Sequence, residues 1–171
     1  MIQYKNHQVT VFQSALFCTT STVIQTPDLI LVVDPNWLME EVEIIRRYVD
    51  KIKGNRPVFL LFTHSDYDHI IGWQAFPTAK VIASKAFVDS KDKEKNLEQI
   101  RVFDDEYYIS RDYEIAYPTV DFPIEIEGQT LIFGQTTLTF YSAKGHNADG
   151  IFTIVNNDYW IAGDYYCEVE F

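Results

Sequence analysis

Two periodicities alternate along the first half of the chain. Leu29-Ile30-Leu31-Val32-Val33 and Val58-Phe59-Leu60-Leu61-Phe62 are unbroken apolar runs of strand length. Such runs predict strands buried on both faces. Between them Leu38, Val42, Ile45, Val49 and Ile52 recur at helical spacing, with Glu40, Glu43, Arg46, Arg47 and Asp50 opposite. That pattern predicts an amphipathic helix from Trp37 to Lys53. Glu40 and Glu41 in its first turns, Lys51 and Lys53 in its last, and the stop at Gly54 all suit a helix in that position. Residues 2–5, 9–13 and 15–25 predict shorter strands. A short helix is expected over 70–76, ended by Pro77, followed by a strand at Lys80–Ala83. Ser84 can then cap a helix running through the mixed-charge segment 85–95. Residues 101–120 carry Tyr107, Tyr108, Tyr113 and Tyr117 among acids. They predict an irregular excursion, read either as an ordinary surface loop or as a wall of a substrate cleft.

From Pro123 onward the period is two. Residues 124–127, Thr130–Phe133, Thr137–Tyr141, Ile151–Val155 and Tyr159–Ala162 predict strands, punctuated by Gly128, Gly134, Gly150 and the turn Asn156-Asn157-Asp158. Strand–helix alternation followed by hairpins predicts an α/β sandwich, with two sheets inside and helices outside. At 171 residues the chain fits one domain, and no low-complexity linker divides it.

Composition narrows the functional classes. A formal net charge of −11 with no basic stripe argues against a general nucleic-acid binder and leaves a small-molecule substrate as the expected partner. No apolar run is long enough to span a membrane, and the first residues do not read as a secretion signal. With two cysteines, Cys18 and Cys167, the expectation is a cytoplasmic protein with reduced thiols. The lone His7 reads as a surface side chain.

The strongest chemical signal is Thr63-His64-Ser65-Asp66-Tyr67-Asp68-His69, placed directly after a buried strand. In an extended loop His64, Asp66 and Asp68 share one face, and His69 turns back as a helix begins. His146 and Asp164 follow glycines further along the chain. Imidazole and carboxylate are ligands for zinc, iron and manganese. Four such side chains within six positions predict a metal site.

Residues 58–72 resemble the signature of the metallo-β-lactamase-fold hydrolases, an apolar strand followed by His-x-His-x-Asp-His and a glycine. Residues 124–151 and 159–164 resemble the later hairpins, the Gly-His segment and the strand ending in Gly-Asp. Asp34 matches the early buried Asp of that family. The resemblance implies an αββα sandwich of two mixed β-sheets. It implies His64, Asp66 and His146 on a first metal, Asp68 and His69 on a second, and Asp164 bridging them. It also implies hydrolysis by a metal-bound hydroxide, with Asp68 handling the nucleophile and one or two Zn²⁺, Mn or Fe ions as cofactor. Ester, thioester, lactone, lactam and phosphodiester substrates all remain open. A mononuclear-iron oxidoreductase and an inactive family member are the alternatives.

Two departures from the family pattern stand out. Asp66 occupies a position where His is commoner, which implies a harder, anionic donor and more tolerance of iron or manganese. The family's later His ligand has no counterpart before Phe171. The expectation is therefore a domain lacking its C-terminal part, with an apolar sheet face that a second copy of the chain can cover.

Overall fold

The structure is a computed structural model that describes residues 1–166. Ile2–Lys5 (β1), Val9–Gln13 (β2), Thr20–Gln25 (β3) and Ile30–Val33 (β4) form an antiparallel meander. From β4 the sheet continues in parallel through Val58–Leu61 (β5), Lys80–Ser84 (β6) and Phe122–Ile124 (β7), giving seven strands in sequence order. A parallel pair needs a crossover, and the helix Met39–Lys53 (α1) supplies the one between β4 and β5. A second, four-stranded sheet is antiparallel, ordered β11-β10-β9-β8 from Gln129–Phe133 (β8), Thr136–Ser142 (β9), Ile151–Val155 (β10) and Tyr159–Ile161 (β11). Tyr67–Ile70 (α2), Lys85–Val88 (α3) and Lys93–Glu106 (α4) complete the helices, with 3₁₀ turns at Trp73–Ala75 and Gly163–Tyr166. No helix among the described residues is long and apolar enough to cross a membrane.

Alternation along β4 and β5 divides the core into two layers. Ile30, Val32, Leu60 and Phe62 face the helices, where Val42, Ile45 and Val49 of α1 and Leu97 and Ile100 of α4 meet them. Leu29, Leu31, Val33, Phe59 and Leu61 face the second sheet, against Leu138, Phe140, Ile151 and Val155. Both faces of these central strands are therefore dry, which explains their unbroken apolar runs. Each such side chain contributes about 1.5–3 kcal/mol by leaving water.

The outer face of the second sheet is different. Ile132 and Trp160 project from it, 68% and 71% exposed, and no described helix covers them.

Several boundaries depart from the sequence reading. The third strand begins at Thr20 rather than Ala15, because Phe17 and Cys18 both adopt left-handed backbone and turn the chain. The long helix starts at Met39, two residues after Trp37, whose φ is 96°. The mixed-charge segment breaks into α3 and α4 at residues 89–92. Ser84 does cap α3, its hydroxyl accepting from Phe87 N. Helix α4 runs on to Glu106 because Leu97, Ile100 and Phe103 hold one face on the core, so only residues 107–120 are irregular. The strand near Ile124 closes the first sheet rather than opening the second. Pro123 sits in its outermost strand, where one edge needs no amide donor.

Candidate metal centre

The site lies at the carboxyl ends of the parallel strands β4 and β5, the usual position for ligands on such a sheet. The second sheet reaches it through the β9–β10 connection and the turn after β11. Ile151 N donates to Thr63 O at 2.9 Å, which joins the two sheets beside the metal motif. Gly163 must be a glycine: its φ is 57°, and a Cβ there would lie 2.8 Å from Thr63 Oγ1.

Asp34 organises the motif from below. It is buried in a left-handed conformation, φ 46°, which Asp adopts more readily than most residues. Its Oδ1 accepts from Thr63 N (2.9 Å), and its Oδ2 accepts from Thr63 Oγ1 (2.6 Å) and lies 2.9 Å from His69 Nδ1. A carboxylate only accepts, so the Thr63 hydroxyl proton points to Asp34. The same hydroxyl must then accept from His64 Nδ1, 2.9 Å away. These bonds put a ring proton of His64 and of His69 on Nδ1 and turn each Nε2 toward the site.

The Nε2 atoms meet carboxylates. His64 Nε2 is buried with no hydrogen-bond partner, although Asp66 Oδ2 is 3.3 Å away. His146 Nε2 is 3.2 Å from the same oxygen. His69 Nε2 lies 3.3 Å from Asp164 Oδ2 and 3.4 Å from Asp68 Oδ2. The ligand atoms of His64, His146 and Asp164 all fall within 4.8 Å of one another. Imidazole nitrogens facing carboxylate oxygens attract positive charge, a proton on His69 without metal, and a divalent ion fits this donor set. The protein's own groups respond to the same crowding. Burial pushes the Asp66 carboxyl up, but His64, His69 and His146 outweigh it and hold the pKa at about 2. Burial raises Asp68, its carboxyl being largely shielded from water. The hydrogen bond with His69 lowers Asp164, against the effect of burial. Burial disfavours the His69 cation, yet Asp68 and Asp34 reverse this and raise its pKa well above the ordinary value.

The structure brings all six expected residues into one cluster, but not quite as the spacing predicts. Helix α2 begins at Tyr67, inside the motif, with His69 N bonded to Asp66 O at 3.0 Å. The extended stretch therefore ends at Asp66, and Asp68 and His69 enter from a helical turn. The compact group contains Asp164 with His64 and His146, while Asp66 adjoins it through the two histidines. Of the tyrosines in the 101–120 segment, Tyr117 comes near the motif, interacting with Ser65. Tyr113 and Tyr117 donate to Ile71 O and Phe87 O, and Tyr108 is 95% exposed. Lys144 is exposed, and Cys18 is an exposed free thiol. Cys167, considered as a thiol near Asp164, lies outside the described residues. Sequence reasoning missed Thr63 and Asn147. The only signal for them was adjacency to His64 and His146.

Comparison with known proteins agrees with this geometry. The model of the metallo-beta-lactamase superfamily matches residues 17–165. Among solved structures, a HARLDQ-motif variant of the metallo-beta-lactamase from Cronobacter sakazakii superposes with a TM-score of 0.58 at 21% identity, covering 90% of this chain and 59% of that one. The metallo-beta-lactamase from Pontibacter korlensis gives 0.59 at 17% identity, covering 92% and 67%. Native FEZ-1 metallo-beta-lactamase from Legionella gormanii gives 0.59 at 18%, covering 85% and 54%. The chain thus spans between about half and two thirds of the length of these structures. No curated protein matches it. With a family match across most of the chain, the same two-sheet fold and a His/Asp cluster at the strand ends, the chain belongs to the metallo-beta-lactamase superfamily.

Proposed function

We propose that this chain carries the metal centre of a hydrolase acting on an ester, thioester, lactone or phosphodiester. One observation carries the reading: the Nε2 lone pair of buried His64 is directed by Thr63 and Asp34 into a cluster that also holds His146 and Asp164. His64, Asp66 and His146 would hold one ion, Asp68 and His69 a second, with Asp164 between them. A divalent ion there supplies Lewis acidity and an acidified water. The protein's part is to fix the ligands and to handle the proton. Asp68 Oδ2, at 3.4 Å from His69 Nε2, is the carboxylate placed to orient the attacking water or to accept its proton. The acidic net charge disfavours polyanionic nucleic acid and favours a small substrate, and the expected setting is cytoplasmic. The exposed Ile132 and Trp160 support the reading that a second copy of the chain covers that face.

Elemental analysis of the purified protein tests this reading, together with a hydrolysis panel before and after chelation. Two zinc or manganese equivalents and chelator-sensitive turnover are expected. Protein that retains no metal after incubation with zinc, manganese or iron would overturn it.

A specific observation favours a second reading. Two histidines and one carboxylate form the compact ligand group, a set that also suits a single non-haem iron and oxygen chemistry. One iron per chain with substrate-dependent oxygen uptake would select it.

A further inference from the structure

We propose that Asn147 is the positioning residue of Asp66, holding that carboxylate as a ligand through one oxygen. The inference rests on the reading of Asp66 as a ligand and adds to it. An imidazole presents a ring nitrogen in a fixed plane. A carboxylate in its place has two equivalent oxygens and can rotate, chelate or turn toward the backbone. Something must choose between these.

In this chain the choice is visible. Asp66 Oδ2 faces His64 Nε2 and His146 Nε2 at 3.3 and 3.2 Å. Asp66 Oδ1 accepts from Asn147 Nδ2 at 2.6 Å. Asp66 also sits at the N-cap of α2, where an Asp side chain ordinarily bonds the first backbone amides, yet it makes no such bond. Its oxygens are held elsewhere. The orientation of the Asn147 amide is set in turn by its surroundings. Asn147 Oδ1 accepts from Asp149 N at 3.4 Å, and Gly150 N donates to Asn147 O at 3.2 Å. Asp149 is anchored by Ser65 N at its Oδ1 and by the Ser84 hydroxyl at its carbonyl. The Asn147 donor thus fixes Asp66 Oδ1, competes with an ion for that oxygen, and leaves Oδ2 directed at the histidines. With an imidazole at position 66, this amide would have no such task.

Four proteins test the proposal: the native chain, Asn147→Ala, Asp66→His and the double variant. The readouts are zinc affinity by competition with a chromophoric chelator and the absorption spectrum of the cobalt(II) form. Loss of Asn147 beside the native Asp66 is expected to weaken zinc binding about 10–100-fold, the usual effect of removing a partner of a ligand, and to shift the cobalt bands. In the Asp66→His background the same substitution is expected to change affinity by no more than about twofold. If Asn147→Ala unfolds, Asn147→Leu keeps the volume while removing the donor and adding no charge, and the same loss is expected. Native affinity in both Asn147 variants, or an equal loss in the native and Asp66→His backgrounds, would overturn the proposal. Asp66→Ala separates the two levels of the argument. Native zinc affinity in that variant refutes Asp66 as a ligand. Weakened affinity there with native affinity in Asn147→Ala refutes only the positioning role.

Discussion

Replacing Asp34 by Asn is the most informative single perturbation, because it alters proton placement with little change in shape. Asn tolerates the left-handed backbone at φ 46°. Its amide oxygen can keep the bond from Thr63 N, which the native Oδ1 accepts at 2.9 Å. The new NH₂ group stands where Oδ2 accepts from Thr63 Oγ1 and His69 Nδ1. A donor now meets two donors. The arrangement that orphans no hydrogen turns Thr63 into an acceptor from the introduced amide, so its own proton goes to His64 Nδ1. His69 Nδ1 likewise becomes an acceptor. Both imidazoles then carry their proton on Nε2, the nitrogen that faces the site.

The expected stability loss is tolerable. Bonds to a charged acceptor contribute about 1.5–3 kcal/mol each and neutral ones about 0.5–1.5. Exchanging three charged for three neutral bonds therefore costs roughly 3–4.5 kcal/mol in all, still below the whole stability of most domains. Asp34→Ala is harsher. It leaves buried Thr63 N and His69 Nδ1 without partners at about 1–3 kcal/mol each. That approaches the whole stability of a domain, about 5–15 kcal/mol. Asp34→Asn should thus stay folded while zinc affinity falls about 10–100-fold or more. Chelator competition measures the affinity, urea unfolding in chelator measures the stability, and ¹⁵N shifts of the imidazoles report the tautomers. A folded Asp34→Asn protein with native zinc affinity and unchanged imidazole shifts would refute the proton assignment on which the ligand geometry depends.

Other outcomes follow from single contacts. Gly72→Ala places a Cβ 2.2 Å from Pro35 O, beside the Gly72 N to Pro35 O bond, and should cost about 1–3 kcal/mol in thermal or urea unfolding. Arg111 makes a two-pronged pair with Asp104 at 2.7 Å and is nearly dry, so Arg111→Met should cost about 3–5 kcal/mol, with Arg111→Met/Asp104→Leu recovering part of it. Trp160→Ser should change unfolding free energy by no more than about 0.5 kcal/mol, because that ring is 71% exposed; if a second copy covers this face as proposed, sedimentation should also show reduced self-association. His69 has a raised pKa, so its proton favours the metal-free fold below about pH 6.5, and that contribution is lost as pH rises through the folded value. Zinc must displace this proton, so zinc affinity should rise with pH. Calorimetry in buffers of different ionisation enthalpy should show proton release, and pH-independent affinity from about pH 6 to 8 would contradict it.

What the sequence disclosed, and what it hid, follow one physical rule. Features set by neighbours along the chain were legible. Examples are the dry strands β4 and β5, the amphipathic period of α1 and the cap at Ser84. Features set by distant contacts were not. The three residues of β7 are a strand because β6 lies beside them, and nothing in Phe122-Pro123-Ile124 says so locally. Helix α4 looked like charged surface because its buried residues are outnumbered by Lys, Glu and Asp on the same turns. The metal cluster falls between these cases. Six candidate ligands could be named from their types and order, but their protonation could not. The tautomers of His64 and His69 are decided by Thr63 and Asp34, and Asp34 lies about thirty residues earlier in the chain. Asp66 repeats the point on a second axis, since the residue that holds its free oxygen, Asn147, lies across the sandwich on the other sheet's loop. The choice of candidate ligands is therefore local information in this fold. Ligand orientation comes from the junction of the two sheets, and a change on either side of that junction should be felt first in metal affinity rather than in the fold.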